Sequence, residues 1–500
     1  MKASLNRSIG IMMSLFITGV FLMGCSTTIE NTKSYGYIPS FKIIGDVEDV
    51  LMITDMKDFT TVEIEDGREK RLFLILQELL SHANPISKKY ELLLVGQDGL
   101  MAKIDGEGIE ECYIGFSKEN AWEFVNPTHP ISSNIKKVKE IVVISKEENW
   151  DQGVNIISNK ENIMNITPGN LYRMPSRIFP YFEGTSSIQH QETTHETSIY
   201  TEQKIVKIKD LLSLSENEKL LAMGALGEYE GIDGDSYLKV SGNKIDLIEK
   251  EGKSKIPDVK GIMVDPPITS IMDTYYDVSH YLEKDEKVMI LFLDGFGYHQ
   301  YLYAIENGYG TFLKNIEAAK AATTVYQSVT NAGFAAMITG KPPYENGVYS
   351  RKQRDLEAPS IFAVAKALDK KSMLVEADMK ILNTEIEPLL NIDRNNNGIT
   401  CDEVFQASLE QIDKDYDLLM IHFHGIDDIG HSYGNLHEKT MEMISMTDAY
   451  IEELVSKWTG RVIITSDHGM HSSLEGGDHG SFRYQDMVVP YVITEGGGRK

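Results

Sequence analysis

Cysteine, basic residues and long apolar runs are all scarce in this chain of 500 residues. Its three cysteines, Cys25, Cys112 and Cys401, are too few for a fold that depends on disulfide bonds. Its 49 lysines and arginines stand against 75 acidic residues, which gives a formal net charge of −26. No basic patch offsets that charge, so we do not expect a nucleic-acid backbone as a partner.

The apolar run at the N-terminus covers only residues 9–23, which is short for a membrane-spanning helix. Lys2 and Arg7 precede it, and it ends in the sequence LMGC, which resembles the cleavage box of bacterial lipoproteins. The resemblance implies that residues 1–24 are a signal peptide and that Cys25 carries a lipid. The mature protein would then be anchored to the extracytoplasmic face of the cell membrane. An ordinary signal peptide or an uncleaved anchor is the alternative.

The next part of the chain predicts two α+β units separated by a linker. Residues 25–40 are polar and predict a tether, and residues 41–149 alternate strand-like and helical patterns typical of a mixed α+β domain. Residues 150–199, rich in Asn, Ser, Thr, Gln and His, predict a linker with local structure. Residues 200–270 predict a second α+β unit.

The second unit resembles the first, which suggests a repeat. The segment NIKKVKEIVVIS (134–145) aligns with KIPDVKGIMVDP (255–266), and both carry a V-K-x-I-x-V pattern. A tandem duplication would explain the match. The alternative is two unrelated strands that share the pattern.

Residues 285–500 predict an α/β domain with a mostly parallel sheet flanked by helices. Five apolar runs predict buried strands: VMILFLD, SMLVEAD, DLLMIHFHG, RVIITSD and VVPYVIT. Helices are predicted at 311–320, 331–339, 358–370, 402–413 and 437–457. Ligands of such sheets bind beyond the carboxyl ends of the strands.

Carboxylate and imidazole side chains follow these strands. They are Asp294, Asp427, His431, Asp467, His468 and His479. Any one of them also fits a solvated loop, and the D-x-x-G-H spacing of Asp427 and His431, expected in a turn, is weak by itself. Together they predict a divalent metal centre, because these residue types hold zinc, and also manganese or iron. Thr330 lies before a small-residue stretch that predicts a helix.

The ordered motifs DGFG, TNAGFAAMITGKPP, ENGV, DxxGH, SDHGM and GGDHG resemble the alkaline phosphatase superfamily. The similarity covers 285–500 and is closest to the nucleotide pyrophosphatase/phosphodiesterase and phosphonoacetate hydrolase branch. It implies two metal sites, the first formed by Asp294, Thr330, Asp467 and His468 and the second by Asp427, His431 and His479. It also implies that Thr330 is the nucleophile.

Elementary chemistry agrees with that role for Thr330. Binding to a dication makes the alkoxide of a threonine accessible, and two ions can stabilise the attacking and leaving oxygens of an in-line displacement. The backbone N–H groups at a helix start can also face a phosphoryl oxygen. The alternative is that Thr330 only caps the helix.

The chain departs from the family at the nucleophile. Phosphodiesterases of this group have T-F-P-N, whereas this chain has Thr330-Asn331-Ala332-Gly333. We expect Asn331, which resembles the T-N of phosphonoacetate hydrolase, to contact the phosphate instead. No C/S-x-P-x-R motif occupies this region, which argues against a sulfatase.

A separate loop has the D-x-N-x-N-G opening of a calcium loop, formed by Asp393, Asn395 and Asn397. Its twelfth position is Val404 rather than glutamate. The loop therefore predicts either a calcium site or an Asn/Gly turn before the helix at 402–413.

The sequence hypothesis is an extracytoplasmic, lipid-anchored hydrolase that uses two divalent metal ions, most simply zinc. Its substrates would be phosphate esters, phosphodiesters, nucleotide pyrophosphates or phosphonates, as small molecules or as part of an envelope polymer. We expect no nucleic-acid partner beyond a nucleotide substrate. Two alternatives stay open: a phosphoryl or phosphoethanolamine transferase acting on envelope polymers, and a non-catalytic surface binding lipoprotein.

Overall fold

The computed structural model of the chain describes residues 39–66, 69–190, 193–215, 218–249 and 254–497. The predicted signal peptide and Cys25 lie outside these residues, as does the predicted tether up to residue 38. Among the described helices, none combines the length and the apolar character that crossing a membrane requires.

The first α+β unit contains two antiparallel or mixed sheets. Its strands are β1 (Phe41–Gly45), β2 (Leu51–Ile53), β3 (Thr61–Asp66), β4 (Glu69–Ile75), β5 (Tyr90–Gly96), β6 (Met101–Asp105), β7 (Tyr113–Ser117), β8 (Ala121–Val125) and β9 (Val138–Ser145). Helix α1 (Leu76–Ala83) follows β4, and a short 3-10 helix covers Ile131–Ser133. A five-stranded sheet has the order β2-β1-β9-β5-β6, and a four-stranded sheet has the order β3-β4-β7-β8.

The second unit starts near residue 154, so the prediction of a linker at 150–199 is wrong. Its strands are β10 (Val154–Ser158), β11 (Asn162–Ile166), β12 (Arg177–His190), β13 (Thr193–Lys207), β14 (Leu220–Gly224), β15 (Tyr229–Ile232), β16 (Tyr237–Ser241), β17 (Lys244–Ile248), β18 (Ser254–Ile256) and β19 (Val259–Val264). Its helices are α2 (Pro168–Arg173) and α3 (Ile208–Leu211). The polar composition of 177–200 belongs to a long β12–β13 hairpin whose side chains are mostly exposed.

The two units share one sheet topology. In the first, β1 pairs with β9 in parallel, and β9–β5 and β5–β6 are antiparallel. In the second, β10 pairs with β19 in parallel, and β19–β14 and β14–β15 are antiparallel. The matching segments noted in the sequence therefore contain β9 and β19, which occupy the same place in their sheets. A duplication of the gene segment stays a hypothesis.

The C-terminal domain alternates strands and helices. Its strands are β20 (Thr269–Ser270), β21 (Val288–Leu293), β22 (Lys320–Thr323), β23 (Ser372–Glu376), β24 (Leu389–Leu390), β25 (Leu418–Phe423), β26 (Arg461–Thr465), β27 (His471–Ser472), β28 (Gly477–Asp478) and β29 (Val488–Glu495). Its helices are α4 (Asp273–Glu283), α5 (Tyr298–Asn307), α6 (Thr311–Asn315), α7 (Thr330–Thr339), α8 (Pro343–Asn346), α9 (Ile361–Ala367), α10 (Cys401–Ile412), α11 (Gly425–Tyr433), α12 (Glu438–Lys457) and α13 (Tyr484–Met487).

Eight strands form the central sheet in the order β20-β22-β29-β26-β21-β25-β23-β24. All of its pairings are parallel except those of β29, so the predicted α/β architecture with a mostly parallel sheet is confirmed. Every residue of β21 and β25 is buried, because helices cover both faces of the sheet. Alternate residues of β21 enter opposite cores: Phe292 packs on one face and Leu291 on the other.

Two local predictions in this domain are wrong. The helix expected at 311–320 ends at Asn315, and the chain turns into β22, which pairs with β29. The turn expected around Asp427 and His431 is helix α11. In the first place the pairing of β22 with β29 ends the helix early, and in the second the chain passes from β25 directly into α11.

The second unit packs against the C-terminal domain close to the carboxyl end of the sheet. Met223 and Met263 join a buried cluster with Phe482, Met487 and Val488. A Cβ built on Gly261 would lie only 2.0 Å from the ring of Phe482, so the contact is tight.

Candidate metal centre

The predicted ligands meet at one edge of the central sheet. Strands β21, β25 and β26 are parallel neighbours, so the residues that follow their carboxyl ends lie side by side. Asp294 follows β21, Asp427 lies in α11 after β25, and Asp467 follows β26. The structure brings all six carboxylate and imidazole residues together with Thr330.

A first cluster surrounds the Thr330 hydroxyl. One ligand atom each from Asp294, Asp467 and His468 lies within 4.8 Å of the others, and all three residues are buried. The Nε2 atom of His468 is 3.5 Å from Asp294 Oδ1 and 3.3 Å from Asp467 Oδ2. Thr330 Oγ1 lies 3.5 Å from Asp294 Oδ1 and 3.4 Å from His468 Nε2. The hydroxyl therefore faces the cluster.

Thr330 is the first residue of α7 and not its cap. The capping position is occupied by Val329, whose backbone is extended. Because Thr330 is not the N-cap residue, its hydroxyl does not have to accept from the N–H groups at the start of the helix and can face the cluster.

A second cluster contains Asp427, His431 and His479, whose ligand atoms also lie within 4.8 Å of one another. His431 Nε2 is 3.3 Å from Asp427 Oδ2, and His479 Nε2 is 3.6 Å from Asp427 Oδ1. Asp427 and His431 are four residues apart on α11, so the helical period puts them on one face. The rings of His468 and His479 stack with centroids 3.8 Å apart, which places the two clusters side by side.

Backbone carbonyls fix the tautomer of all three imidazoles. The Nδ1 atoms of His431, His468 and His479 lie 3.0, 3.0 and 2.8 Å from carbonyl oxygens. A carbonyl only accepts, so Nδ1 carries the proton and, in the neutral ring, Nε2 keeps its lone pair. Arg351 Nη2 donates to His479 Nε2 at 2.7 Å, which agrees with that assignment. The rings of His431 and His468 thus direct a ligand atom into the clusters, and a cation at His479 would have to displace Arg351 from Nε2.

The electrostatics of the clusters fit a divalent cation. Burial, together with the carboxylates of Asp294 and Asp427, raises the pKa of Asp467 well above its ordinary value. Burial and His479 lower the pKa of His468 to about 4. Asp467 Oδ2 and Asp427 Oδ1 are buried, and neither has a hydrogen-bond partner among the residues that the structure describes. Buried carboxylates without donors are costly, and a dication among them would remove that cost.

Asn331 and Gly333 show how the departure from T-F-P-N is accommodated. The amide nitrogen of Asn331 donates to the carbonyl of Gln353 at 3.0 Å, so it is engaged with a neighbouring loop. Its contact with phosphate stays a prediction. A Cβ on Gly333 would lie 2.5 Å from the carbonyl oxygen of Asp467, so a larger residue fits only if α7 and the loop after β26 move apart.

The predicted calcium residues form an exposed loop before α10. Asp393 accepts from the N–H groups of Asn397 and Gly398 at 3.2 and 2.9 Å. Asn395 donates its amide to Asp402 at 2.6 Å. These bonds form the Asn/Gly turn of the alternative interpretation, and calcium binding stays a prediction.

The sequence interpretation missed three residues on the Oδ2 side of Asp294. His422, in β25, is buried, His424 follows that strand and is partly buried, and the buried Glu376 ends β23 and lies next to His422. Two histidines at i and i+2 in the run MIHFH were the available signal, since alternate residues of a strand face the same side. Glu376 gave no signal, because an acid at the end of an apolar run is common.

Comparison with known proteins shows what the C-terminal region is similar to. Residues 377–500 match the model of the metalloenzyme superfamily. No curated protein matches the chain. Many solved structures show a limited likeness, and the chain spans a little over half the length of the three named here.

The first is phosphonoacetate hydrolase from Sinorhizobium meliloti 1021 with phosphonoformate, at 20% identity over 37% of this chain and 56% of that chain, with a TM-score of 0.29. The second is an inactive murine ectonucleotide pyrophosphatase/phosphodiesterase 5 with AMP, at 19% identity over 37% and 57%, with a TM-score of 0.32. The human form of that protein gives 20% identity over 37% and 57%, with a TM-score of 0.31. Residues 377–500 are therefore similar to the metalloenzyme superfamily, and the mixed α/β architecture of the C-terminal domain is consistent with an alkaline phosphatase-like fold.

Proposed function

We propose that the C-terminal domain is a two-metal hydrolase of phosphate esters or phosphonates that works through a phosphothreonine at Thr330. The observation that carries this proposal is the position of the Thr330 hydroxyl, 3.5 Å from Asp294 and 3.4 Å from His468 in a cluster of metal-ligand type. A hydroxyl needed only for folding would have a backbone or side-chain partner away from such a cluster.

The first cation would be held by Asp294, Asp467 and His468, and the second by Asp427, His431 and His479. Bound cations supply positive charge that makes a hydroxyl acidic and stabilises the charge on a phosphoryl group. Ligand sets of imidazole and carboxylate suit zinc, and we propose zinc as the ion.

Side-chain and backbone groups of this chain would position the nucleophile and the phosphoryl group. Thr330 presents its hydroxyl at the start of α7, a helix of 10 residues whose first N–H groups can face phosphoryl oxygens. The threonine hydroxyl loses its proton to solvent, its oxygen forms a bond to phosphorus, and the bond from phosphorus to the leaving group breaks as the leaving group takes up a proton. A water oxygen then bonds to phosphorus, the threonine O–P bond breaks, and the threonine hydroxyl is restored. Because Gly333 has no side chain, α7 can pack directly against Asp467, and Thr330 stays beside the residues of the first cluster.

The test compares Thr330→Val with Thr339→Val, two substitutions of equal shape in the same helix. Thr339 lies at the far end of α7 and donates to the carbonyl of Ala335 at 2.6 Å. Substrates are p-nitrophenyl phosphate, bis(p-nitrophenyl) phosphate and phosphonoacetate, with added zinc or manganese and with chelator. We expect chelator-sensitive turnover of at least one substrate. Thr330→Val should lower it by ~10³-fold or more, and Thr339→Val should leave most of it.

Absence of turnover on all three substrates, or equal activity of the two variants, would refute the proposed function. Product analysis with an added alcohol acceptor separates hydrolysis from transfer, because a transferase would give the phosphorylated alcohol.

We also propose that the protein is lipid-anchored through Cys25 on the extracytoplasmic side of the membrane. The support is the basic start, the short apolar run and the LMGC sequence. The chain should incorporate labelled palmitate and fractionate with membranes, and Cys25→Ser should do neither. Equal labelling of both forms would exclude the anchor.

A further inference from the structure

Asp294 faces two different groups of side chains with its two carboxylate oxygens. Oδ1 is directed to Thr330 and His468, as described above. Oδ2 lies 3.2 Å from His422 Nε2 and 3.0 Å from His424 Nδ1. Ligand atoms of Asp294, His422 and His424 lie within 4.8 Å of one another. The second group therefore has the composition and the spacing of a metal site.

The strand geometry holds the two imidazoles in place. His422 is the penultimate residue of β25 and His424 follows the strand, and both rings contact Oδ2 of Asp294, which follows the neighbouring strand β21. Phe292 stacks on the ring of His422 with centroids 3.7 Å apart and an interplanar angle of 9°. His422 is wholly buried, and 16% of the His424 side chain is exposed. The site is preformed and is nearly closed to solvent.

Glu376 provides independent evidence for positive charge at this place. Its side chain is completely buried, and neither carboxylate oxygen has a hydrogen-bond partner among the described residues. Oε1 lies 3.5 Å from His422 Nδ1, on the side of the ring opposite Asp294. Metal-bound histidines commonly have a carboxylate on their other ring nitrogen, where it orients the ring and strengthens the ligand. A buried ionised glutamate without donors is destabilising unless positive charge lies near it.

We propose that Asp294 Oδ2, His422 Nε2 and His424 Nδ1 bind a third divalent cation, with Glu376 orienting His422. Two imidazoles and a carboxylate favour a transition-metal ion such as zinc over magnesium or calcium. Asp294 would then bridge two cations, one through each oxygen. The third ion does not face Thr330, so its role is to fix the Asp294 carboxylate in the orientation that the first cluster needs.

Metal counting tests the third site directly. The full chain is loaded with zinc, freed of weakly bound ion and analysed for metal and protein together. We expect about three zinc ions per wild-type chain. The double variant His422→Ala/His424→Ala should hold about two, and the exposed control His280→Ala should hold three. Glu376→Gln should keep the third ion but weaken its binding ~10–100-fold in a chelator competition.

Circular dichroism verifies that each variant is folded, and anomalous scattering at the zinc edge from wild-type crystals gives a count that needs no variant. Three anomalous peaks, one between Asp294 and the two histidines, support the proposal. Two peaks confined to the other clusters, or a double variant with as much zinc as the wild type, overturn it.

The experiments distinguish a failure of the third-site proposal from a failure of the proposed function. A wild-type chain with two zinc ions and normal Thr330-dependent turnover would exclude only the third cation. A chain with three ions and no turnover would exclude only the hydrolase.

Discussion

Replacing Gly333 with alanine tests whether the close packing of α7 on Asp467 sets the geometry of the first cluster. The added Cβ would lie 2.5 Å from the Asp467 carbonyl oxygen and 2.7 Å from the Asp467 Cβ, whereas ordinary contact begins at 3.4 Å. The backbone of α7 and the loop after β26 must therefore separate by about 0.9 Å. Neither partner is the flexible end of a side chain, so the movement falls on Asp467 and its neighbour His468.

The two energetic consequences differ in size. Overpacking of this kind costs ~1–3 kcal/mol, and the helical preference for alanine over glycine offsets about 1 kcal/mol of it. The melting temperature of a domain of this size should fall by only a few degrees. A displacement near 1 Å at a reacting group can nevertheless lower the rate ~10²-fold. Gly333→Ala should therefore be folded, bind metal more weakly and be nearly inactive.

The assay compares the melting temperature, the zinc content and the turnover of p-nitrophenyl substrates for Gly333→Ala and Gly231→Ala. A Cβ on Gly231, in β15, meets nothing within 4 Å, so that variant should behave like the wild type. Wild-type activity and zinc content in Gly333→Ala would refute the packing argument. Global unfolding of Gly333→Ala would also refute it, because the free energy lost would then exceed the ~1–3 kcal/mol expected from overpacking.

Three other contacts give further predictions. Burial lowers the pKa of His299 to about 4, and its Nε2 accepts from the Asn435 amide at 2.8 Å. Between about pH 6.5 and pH 4 the unfolded chain binds a proton that the folded chain does not, so stability falls as the pH drops through this window. At pH 4.5 the free energy of unfolding should be about 2–3 kcal/mol lower on this account, and denaturant titrations at pH 7.5 and 4.5 measure it. His299→Gln should remove this loss. A variant with the same difference between the two pH values as the wild type would contradict the prediction. Asp46 accepts from the N–H groups of Ser145 at 2.6 Å and Gly169 at 2.7 Å, and so joins the two α+β units. Asp46→Ala leaves these buried donors unpaired and should cost ~3 kcal/mol or more, whereas a loss below about 1 kcal/mol would show that water replaces the carboxylate. Zinc at 100 times its dissociation constant should stabilise the chain by about 2.7 kcal/mol per site, and a melting temperature that does not respond to zinc or chelator would exclude the metal centre.

Residues 285–497 show how much could be predicted from the sequence. The apolar runs that end at Asp294 and Asp467 became β21 and β26, because a run of buried residues between turn residues has few other stable arrangements. The order of the ligands along the chain, with Thr330 between the first and second motifs, was enough to predict a metal centre. It also predicted that this part of the chain has an alkaline phosphatase-like fold.

For residues 150–199 the amino-acid composition led to a wrong prediction. Their Asn, Ser and Thr content predicted a linker, yet β10 is a buried strand beside β19, and the polar residues belong mostly to the exposed β12–β13 hairpin. β10 pairs with the adjacent β11 and with β19, which lies about a hundred residues later in the chain, so its buried position depends on a long-range pairing.

The sequence by itself determined which strands are buried and which residues end them, because both follow from local patterns of apolar and polar residues. Only the tertiary structure decided what Asp294 does with its second oxygen. Its approach to His422 and the burial of Glu376 without a donor depend on the pairing of β21, β25 and β23. Distances between side chains more than a hundred residues apart are set by sheet order and helix packing, which no local pattern specifies.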